Sequence, residues 1–387
     1  MEQSKRVRET AESGVNMAIP YLKGGPDDIN MGQGMVYWPP PAASLQEVLA
    51  QVPADVHRYG PIEGLPALRE ALLKKCRERN GIEGKEIHIT CGGNQAFMSV
   101  VMTICDVGDE VIIFTPYYFN HLMALQLINA KAVLAPCRPD DLTPDLSVLP
   151  SLITPKTKAI VLISPNNPTG AITPPETIQK IQQLCLDKGL WLVADEAYED
   201  FVFDGATHRS PTGPNVINIF TFSKSYGLAG WRVGYVLFPP ELKEGMDKVQ
   251  DTVPINACQI SQRLALHALT NAGPQWVAQM VATLQRNREL AWDAVEPLRT
   301  HHERQGRTAP GVGSLYVFAK LPEGVDDMAA IKYLSHQHKV CVLPGKGFGA
   351  PGHLRVSFGN LPPELCEQAA LRLKQGLQDI VDGKLSL

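Results

Sequence analysis

A single lysine stands in the stretch FTFSKSYGLAGWRVGY, residues 220–235, where an apolar run ends among small hydroxylated residues. Thr221 and Ser223 flank Lys224, and a second cation, Arg232, follows eight residues later. A lysine that burial and neighbouring charge deprive of its proton is an amine nucleophile, able to join a carbonyl carbon. Read by itself, the same lysine is equally a solvated loop cation, the ordinary place for lysine. Earlier in the chain, LWLVADEAYEDF carries a continuous apolar run to Asp195, Glu196 and Tyr198. A carboxylate delivered to a strand end needs a partner. It either caps the helix that follows or holds a proton on the ring nitrogen of a bound group, making that ring an electron sink.

Three further segments carry donor and acceptor groups. SPNNPTG, residues 164–170, puts Asn167 before Pro168 and Gly170 shortly after, a pattern that also serves as plain turn chemistry. TCGGNQAF, residues 90–97, is a strand end, two glycines and a helix start, where free backbone N–H groups and the helix dipole favour an anion. HLRVSFG, residues 353–359, places Arg355 near a strand end, and arginine offers a planar fork for a carboxylate. None of these segments decides anything alone.

The elements that must hold these residues follow from the hydrophobic pattern. Between Ile87 and Pro239 the runs IHIT, EVIIFTP, KAVLAPC, AIVLISP, LWLVADE, VINIFTFS and GYVLFP alternate with helical stretches, which predicts a mostly parallel, doubly wound sheet. Several runs are apolar throughout, as expected where helices cover both faces. One helix is marked by Thr173 as N-cap with Glu176 at the capping-box position, an apolar stripe of Ile178, Ile181 and Cys185, and Gly189 at its end. It leaves SPNNPTG in a loop after a strand, where open α/β sheets bind ligands. After Asp251 the pattern turns helical as far as about Arg299. SLYVFAKL, KVCVLPG and HLRVSFG then predict a smaller α/β unit. The expected division is an N-terminal arm and part of the small domain over 1–45, a large domain over 46–290 and a small C-terminal domain over 291–387. Pro39 to Pro41 make the segment MVYWPPPAAS extended.

The 387 residues suit a large α/β domain with a smaller companion, and 44% hydrophobic with 20% charged residues is a globular composition. A net charge of −4 and a pI near 6.2 provide no basic face for nucleic acid. Eight scattered cysteines lack disulfide or zinc spacing, so no metal is expected. No segment has the roughly 20 apolar residues of a membrane span, and the N-terminal sequence is of mixed charge, so the expected location is cytoplasmic.

In their joint order along nearly the whole chain, Gly92-Gly93-Asn94, SPNNPTG, DEAY, SKSYGLAGWRVGY and RVSF resemble class I/II aminotransferases of the pyridoxal phosphate (PLP) fold type I. The resemblance implies a PLP-dependent transaminase acting on amino acids and 2-oxo acids. It implies that Lys224 is the Schiff-base lysine and proton shuttle, Asp195 the partner of the pyridine nitrogen and Tyr198 a hydrogen bond to the ring hydroxyl. Asn167 would meet that hydroxyl and the substrate carboxylate, and Arg355 would clamp the carboxylate. Gly92, Gly93, Asn94, Thr221, Ser223 and Arg232 would hold the phosphate, with Tyr118 stacked on the ring. Tyr59, in RYGPIEGLPALREAL, resembles a tyrosine that reaches the phosphate of a neighbouring subunit, implying a homodimer with shared sites; a packing role is the alternative.

MGQGMVYWPPP resembles the arm of the subgroup acting on kynurenine, glutamine, methionine and aromatic amino acids, which would place Gly34 next to the substrate. Met35 to Trp38 depart from that pattern. Together with EVIIFTPYYFNH and HLRVSFGNL, the arm points to a neutral donor, methionine or aromatic, and VPINACQ lacks an arginine for an acidic side chain. Two alternatives share the residues or the fold. One is a carbon–sulfur lyase or aminocyclopropane-carboxylate-forming enzyme. The other is a non-catalytic sensor domain beside a DNA-binding module, for which the roughly 20 residues before the family-like region leave no room.

Overall fold

The computed structural model describes residues 2–21, 25, 27–302 and 311–385. Strand β1 (Ile29–Asn30) belongs to the arm, and the seven runs predicted as strands all form: β2 (Glu86–Thr90), β3 (Glu110–Thr115), β4 (Lys131–Pro136), β5 (Thr157–Ile163), β6 (Trp191–Asp195), β7 (Val216–Thr221) and β8 (Gly234–Phe238). They make one sheet in the order β2-β8-β7-β6-β5-β3-β4. Pairing is parallel from β4 through β7, whereas β8 runs antiparallel to both β7 and β2.

The all-apolar runs follow from burial on both faces. Along β3, Val111 and Ile113 enter one core while Ile112 and Phe114 enter another, and β5 divides Val161 from Ile160 and Leu162 in the same way. The helix Gly93–Ile104 covers the first face with Ala96, Phe97 and Val100. The second face receives Ile178, Ile181 and Cys185 from the helix Pro175–Asp187, the predicted stripe. Each such aliphatic side chain, fully buried, contributes about 1.5–3 kcal/mol. That helix begins otherwise than predicted. Pro174 precedes it without a side-chain cap, and Thr173 is buried, its N–H donating to Ser164 Oγ at 3.1 Å. Pro175, with φ already set for a helix, starts the first turn instead. Gly189, at φ +66°, does end it, and the Leu190 N–H donates to Cys185 O at 2.8 Å.

The second unit is a three-stranded antiparallel sheet in which β12 (His353–Ser357) lies between β11 (Leu343–Pro344) and β9 (Tyr316–Lys320). KVCVLPG does not form one strand. Its first half, β10 (Val340–Cys341), pairs in parallel with β1, and its second half becomes β11. The helical stretch after Asp251 is several consecutive segments, Gln259–His267, Gly273–Ala282, Leu284–Ala294 and Glu296–His301, with Gly273 at φ +68°. Helix Pro363–Val381 packs across Leu284–Ala294. Among the described residues, no helix is long and apolar enough to cross a membrane, and the eight cysteines are free thiols.

Candidate active site

One edge of the main sheet collects the groups singled out by the sequence. The parallel strands β2, β3, β5, β6 and β7 end there, leading into Gly92, Tyr118, Asn167, Asp195 and Lys224 respectively. Because β8 is antiparallel it starts at the same edge, so Arg232, two residues before it, joins them.

At the β2 end, Gly92 has φ +86° and opens the helix Gly93–Ile104. A Cβ at Gly92 would lie 2.6 Å from Arg232 Nη2, so only glycine lets the guanidinium come this close. Arg232 itself takes a left-handed conformation, φ +52°, with Nη1 donating to Ala229 O at 2.9 Å and Nη2 to Cys91 O at 3.1 Å. Thr221 Oγ1 donates to Ser223 Oγ at 2.8 Å and accepts the Ser223 N–H at 3.1 Å. Arg232, two hydroxyls and the first N–H groups of a helix thus surround one position, a setting for a phosphate. Asn94 stands beside it, its Oδ1 accepting the Tyr118 hydroxyl at 3.3 Å.

In the middle of the edge, Asp195 is 9% exposed; its Oδ1 accepts the Ala197 N–H at 3.1 Å, and its Oδ2 lies 3.1 Å from His121 Nε2. The bond to Ala197 lies in a turn; no helix follows β6, so the helix cap expected of a strand-end aspartate is not formed. The pairing with His121 was not foreseen. His121 is buried, stacks on Phe97 at 4.0 Å and meets the Tyr118 ring edge-on at 5.3 Å. Its only signal was a histidine three residues after Tyr118 at a helix start. Tyr198 is buried with its hydroxyl 2.5 Å from that of Tyr316, and burial holds both phenols above their ordinary range. Burial also raises Tyr118. Tyr316 was not foreseen either, since SLYVFAKL reads as an ordinary core strand.

At the far side the arm and β12 close over Lys224. Its Nζ donates to Gly34 O at 2.5 Å. Burial, then the positive charges of Arg355 and Arg232, bring the amine from 10.5 down to about 8, with Asp195 opposing. A Cβ on Gly34 would sit 2.1 Å from Tyr316 Oη, so this glycine too is a matter of space. Arg355, only 2% exposed, donates from Nη1 to Asn167 Oδ1 at 2.8 Å and from Nη2 to Gly32 O at 2.6 Å. Its guanidinium lies 4.2 Å over the Tyr316 ring, and Nε has no hydrogen-bond partner among the described residues. All of these partners are neutral. A buried cation without a carboxylate is costly, so the site is built to receive an anion. Among the described residues Tyr59 makes no hydrogen bond or ring contact with this edge; it is 83% exposed, which also removes the packing alternative within the chain.

The model of the family "Aminotransferase class I and II" matches residues 26–373. The chain belongs to this family. It is therefore a pyridoxal phosphate-dependent transaminase acting on amino acids and 2-oxo acids. This aminotransferase is 40% identical over 362 residues to the aromatic aminotransferase ISS1 of Arabidopsis thaliana, covering 91% of this chain and 90% of the relative. A probable aspartate/prephenate aminotransferase of Aquifex aeolicus is 31% identical over 376 residues, 92% of each chain. Among solved structures, the aromatic aminotransferase from Pyrococcus horikoshii superposes with a TM-score of 0.85 at 28% identity, over 95% of this chain and 100% of that one. The fold is thus the fold type I α/β architecture.

The residues present fit the cofactor. The space kept clear at Gly92 beside Arg232 suits a phosphate, and a buried carboxylate and an amine with a pKa near 8 at the same edge are groups of the kind that would serve a pyridine nitrogen and an aldehyde.

Proposed function

We propose that this aminotransferase moves the amino group of a neutral L-amino acid, aromatic or methionine, to a 2-oxo acid in two half-reactions of a ping-pong cycle. The observation that carries the reading is the convergence of Lys224, Asn167 and Arg355 around Gly32 and Gly34: an amine with a pKa near 8 beside a guanidinium that no carboxylate neutralises. The 40% identity to an aromatic aminotransferase supports the donor class. The Trp38 backbone carbonyl packs against Gly227 in the lysine's own loop.

In this reading, PLP supplies a carbonyl for the lysine amine and a protonated pyridine ring that withdraws electrons from the substrate Cα. Arg355 binds the α-carboxylate in its planar fork, and Asn167, bridging Arg355 and the ring, fixes the plane of the donor. Lys224 would be the group that joins the cofactor's carbonyl and that holds and moves the proton of the substrate Cα; a pKa near 8 suits an amine that both takes and gives a proton at neutral pH. Asp195, with His121 Nε2 3.1 Å away, would keep a bound pyridine nitrogen protonated. Tyr198 donates to the ring hydroxyl with Tyr316 behind it. Gly92, Gly93, Asn94, Thr221, Ser223 and Arg232 bind the phosphate, and Tyr118 covers the ring. Exposed Tyr59 would complete the phosphate site of a second copy, making the working form a homodimer in the cytoplasm. The domain bounds proposed are 1–45, 46–290 and 291–387.

The test follows visible absorbance while methionine, phenylalanine, tryptophan, glutamate and aspartate are added separately to the holoenzyme, then pyruvate or 2-oxoglutarate. The expected result is a spectral change with a neutral donor that an oxo acid reverses. A response to aspartate or glutamate alone overturns the donor class. A change that no oxo acid reverses, with ammonia released, indicates lyase chemistry.

A further inference from the structure

A cavity of about 410 Å³ lies between the two sheets, apart from the residues around Lys224. Pro116 and Leu142 form its wall on the side of the main sheet; Trp292 and Phe318 form the opposite wall. The volume is that of a small-molecule site, and most of the lining is apolar or aromatic.

Among the described residues the charges in it are of one sign: Arg299 and Lys320 line the cavity, and no described lining residue is an aspartate or glutamate. Arg299 lies 4.3 Å over the Trp292 ring, and its buried Nε has no hydrogen-bond partner among the described residues. A guanidinium held by an indole face, with a donor left unused inside a mostly apolar wall, is short of an acceptor. His302 and His353 also line the space, but burial, reinforced by nearby Lys320, pushes both imidazoles below their usual range, so the positive charge rests on Arg299 and Lys320.

We propose that this cavity is a second binding site, for an apolar or aromatic monocarboxylate whose carboxylate pairs with Arg299 and whose ring packs against Trp292 and Phe318. The geometry connects it to catalysis. Phe318 stacks on His353 at 5.0 Å and 8°, and in the sheet it is the direct cross-strand partner of Arg355. Directly paired residues in an antiparallel sheet share a face, so a ligand against Phe318 presses on the neighbour of the carboxylate clamp. Occupancy therefore modulates the reaction without competing for the amino donor. This does not depend on which donor the enzyme uses.

The probe is phenylacetate, which has neither an amino nor an oxo group and is not turned over. Titration calorimetry on the holoenzyme carrying Arg355→Ala removes binding at the substrate position. One phenylacetate per chain should remain, and adding Arg299→Gln should weaken it at least tenfold. Leu142→Trp, which fills the cavity from the opposite wall, should abolish it, and phenylacetamide, without the charge, should not bind. In the otherwise natural holoenzyme, phenylacetate should show a non-competitive component against the donor that is lost in Arg299→Gln while the donor KM stays unchanged. The proposal is overturned if Arg355→Ala binds no phenylacetate, if Arg299→Gln leaves its binding unchanged, or if the inhibition is purely competitive. Failure of the donor assignment would show in the absorbance titration and leave these outcomes untouched.

Discussion

The two sides of the active site are built differently. On the side of the main sheet each functional group sits at a strand end or within four residues of one, so a short stretch of sequence carries both the element and the residue: Asp195 ends β6, Lys224 follows β7, and Gly92 follows β2. On the arm and β12 side, nothing is local. Arg355 reaches Gly32 and Asn167, Lys224 reaches Gly34, and Tyr316 meets Tyr198 across more than a hundred residues of chain. The first side is held by the sheet, whose register no single side chain sets. The second is held by a few close contacts, several of them to backbone oxygens, and it should respond to substitutions that only change space.

Variants can break or sharpen this contrast. Lys224→Ala should reduce transamination by about 10⁴-fold or more while the fold is retained, because a strand end supplies the amine but not the sheet's stability; turnover and circular dichroism measure the two. Arg355→Lys should cost on the order of 10²-fold in kcat/KM, mostly in KM, since an ammonium cannot reproduce the fork shared by Asn167 and Gly32. His121→Phe, which keeps the stacking on Phe97 but removes the ring nitrogen 3.1 Å from Asp195 Oδ2, should lower kcat by roughly 10–100-fold, judged by the cost of losing one polar contact to a charged group. Tyr316→Phe deletes one hydroxyl of the pair and should cost about fivefold. Equal losses of binding and turnover in all four variants would dissolve the distinction between the two sides.

The buried amine supplies a pH test. In the cofactor-free protein Lys224 has a folded pKa of about 8 against 10.5 unfolded, so its charge destabilises the fold by roughly 3 kcal/mol at pH 7 and below. The penalty fades as pH rises from 8 to 10.5. Lys224→Met should therefore unfold at a higher temperature than the parent at pH 7, and the difference should close towards pH 10.5. A pH-independent difference would place the lysine in water.

The cofactor side was legible because strand, turn and donor occupy adjacent letters: the seven apolar runs became the seven strands, and Lys224, Asp195, Asn167, Arg232 and the two glycines stand at one edge. The start of the helix at Pro175 was misread, because Thr173 and Glu176 have capping-box spacing and nothing local says that Thr173 faces Ser164. His121 and Tyr316 were missed for a related reason. Each reads as core by its own segment, and each acquires its partner, Asp195 or Tyr198, only through tertiary packing. The role of Gly34 came from likeness alone, and its physical basis, the Tyr316 hydroxyl 2.1 Å from any Cβ, exists only in three dimensions.

The reversed strand β8 has a consequence for how this gene tolerates change in length. Because Thr221 and Gly234 are fixed opposite each other, residues 222–233 form a closed connection that carries both Lys224 and Arg232. A one-residue insertion or deletion there alters the gap between amine and guanidinium, or slips β8 and turns its side chains to the wrong face. Residues 137–156, between β4 and β5, span the sheet's outer margin without contributing to the site. Libraries of single-codon insertions should consequently be depleted across the first segment and populated across the second.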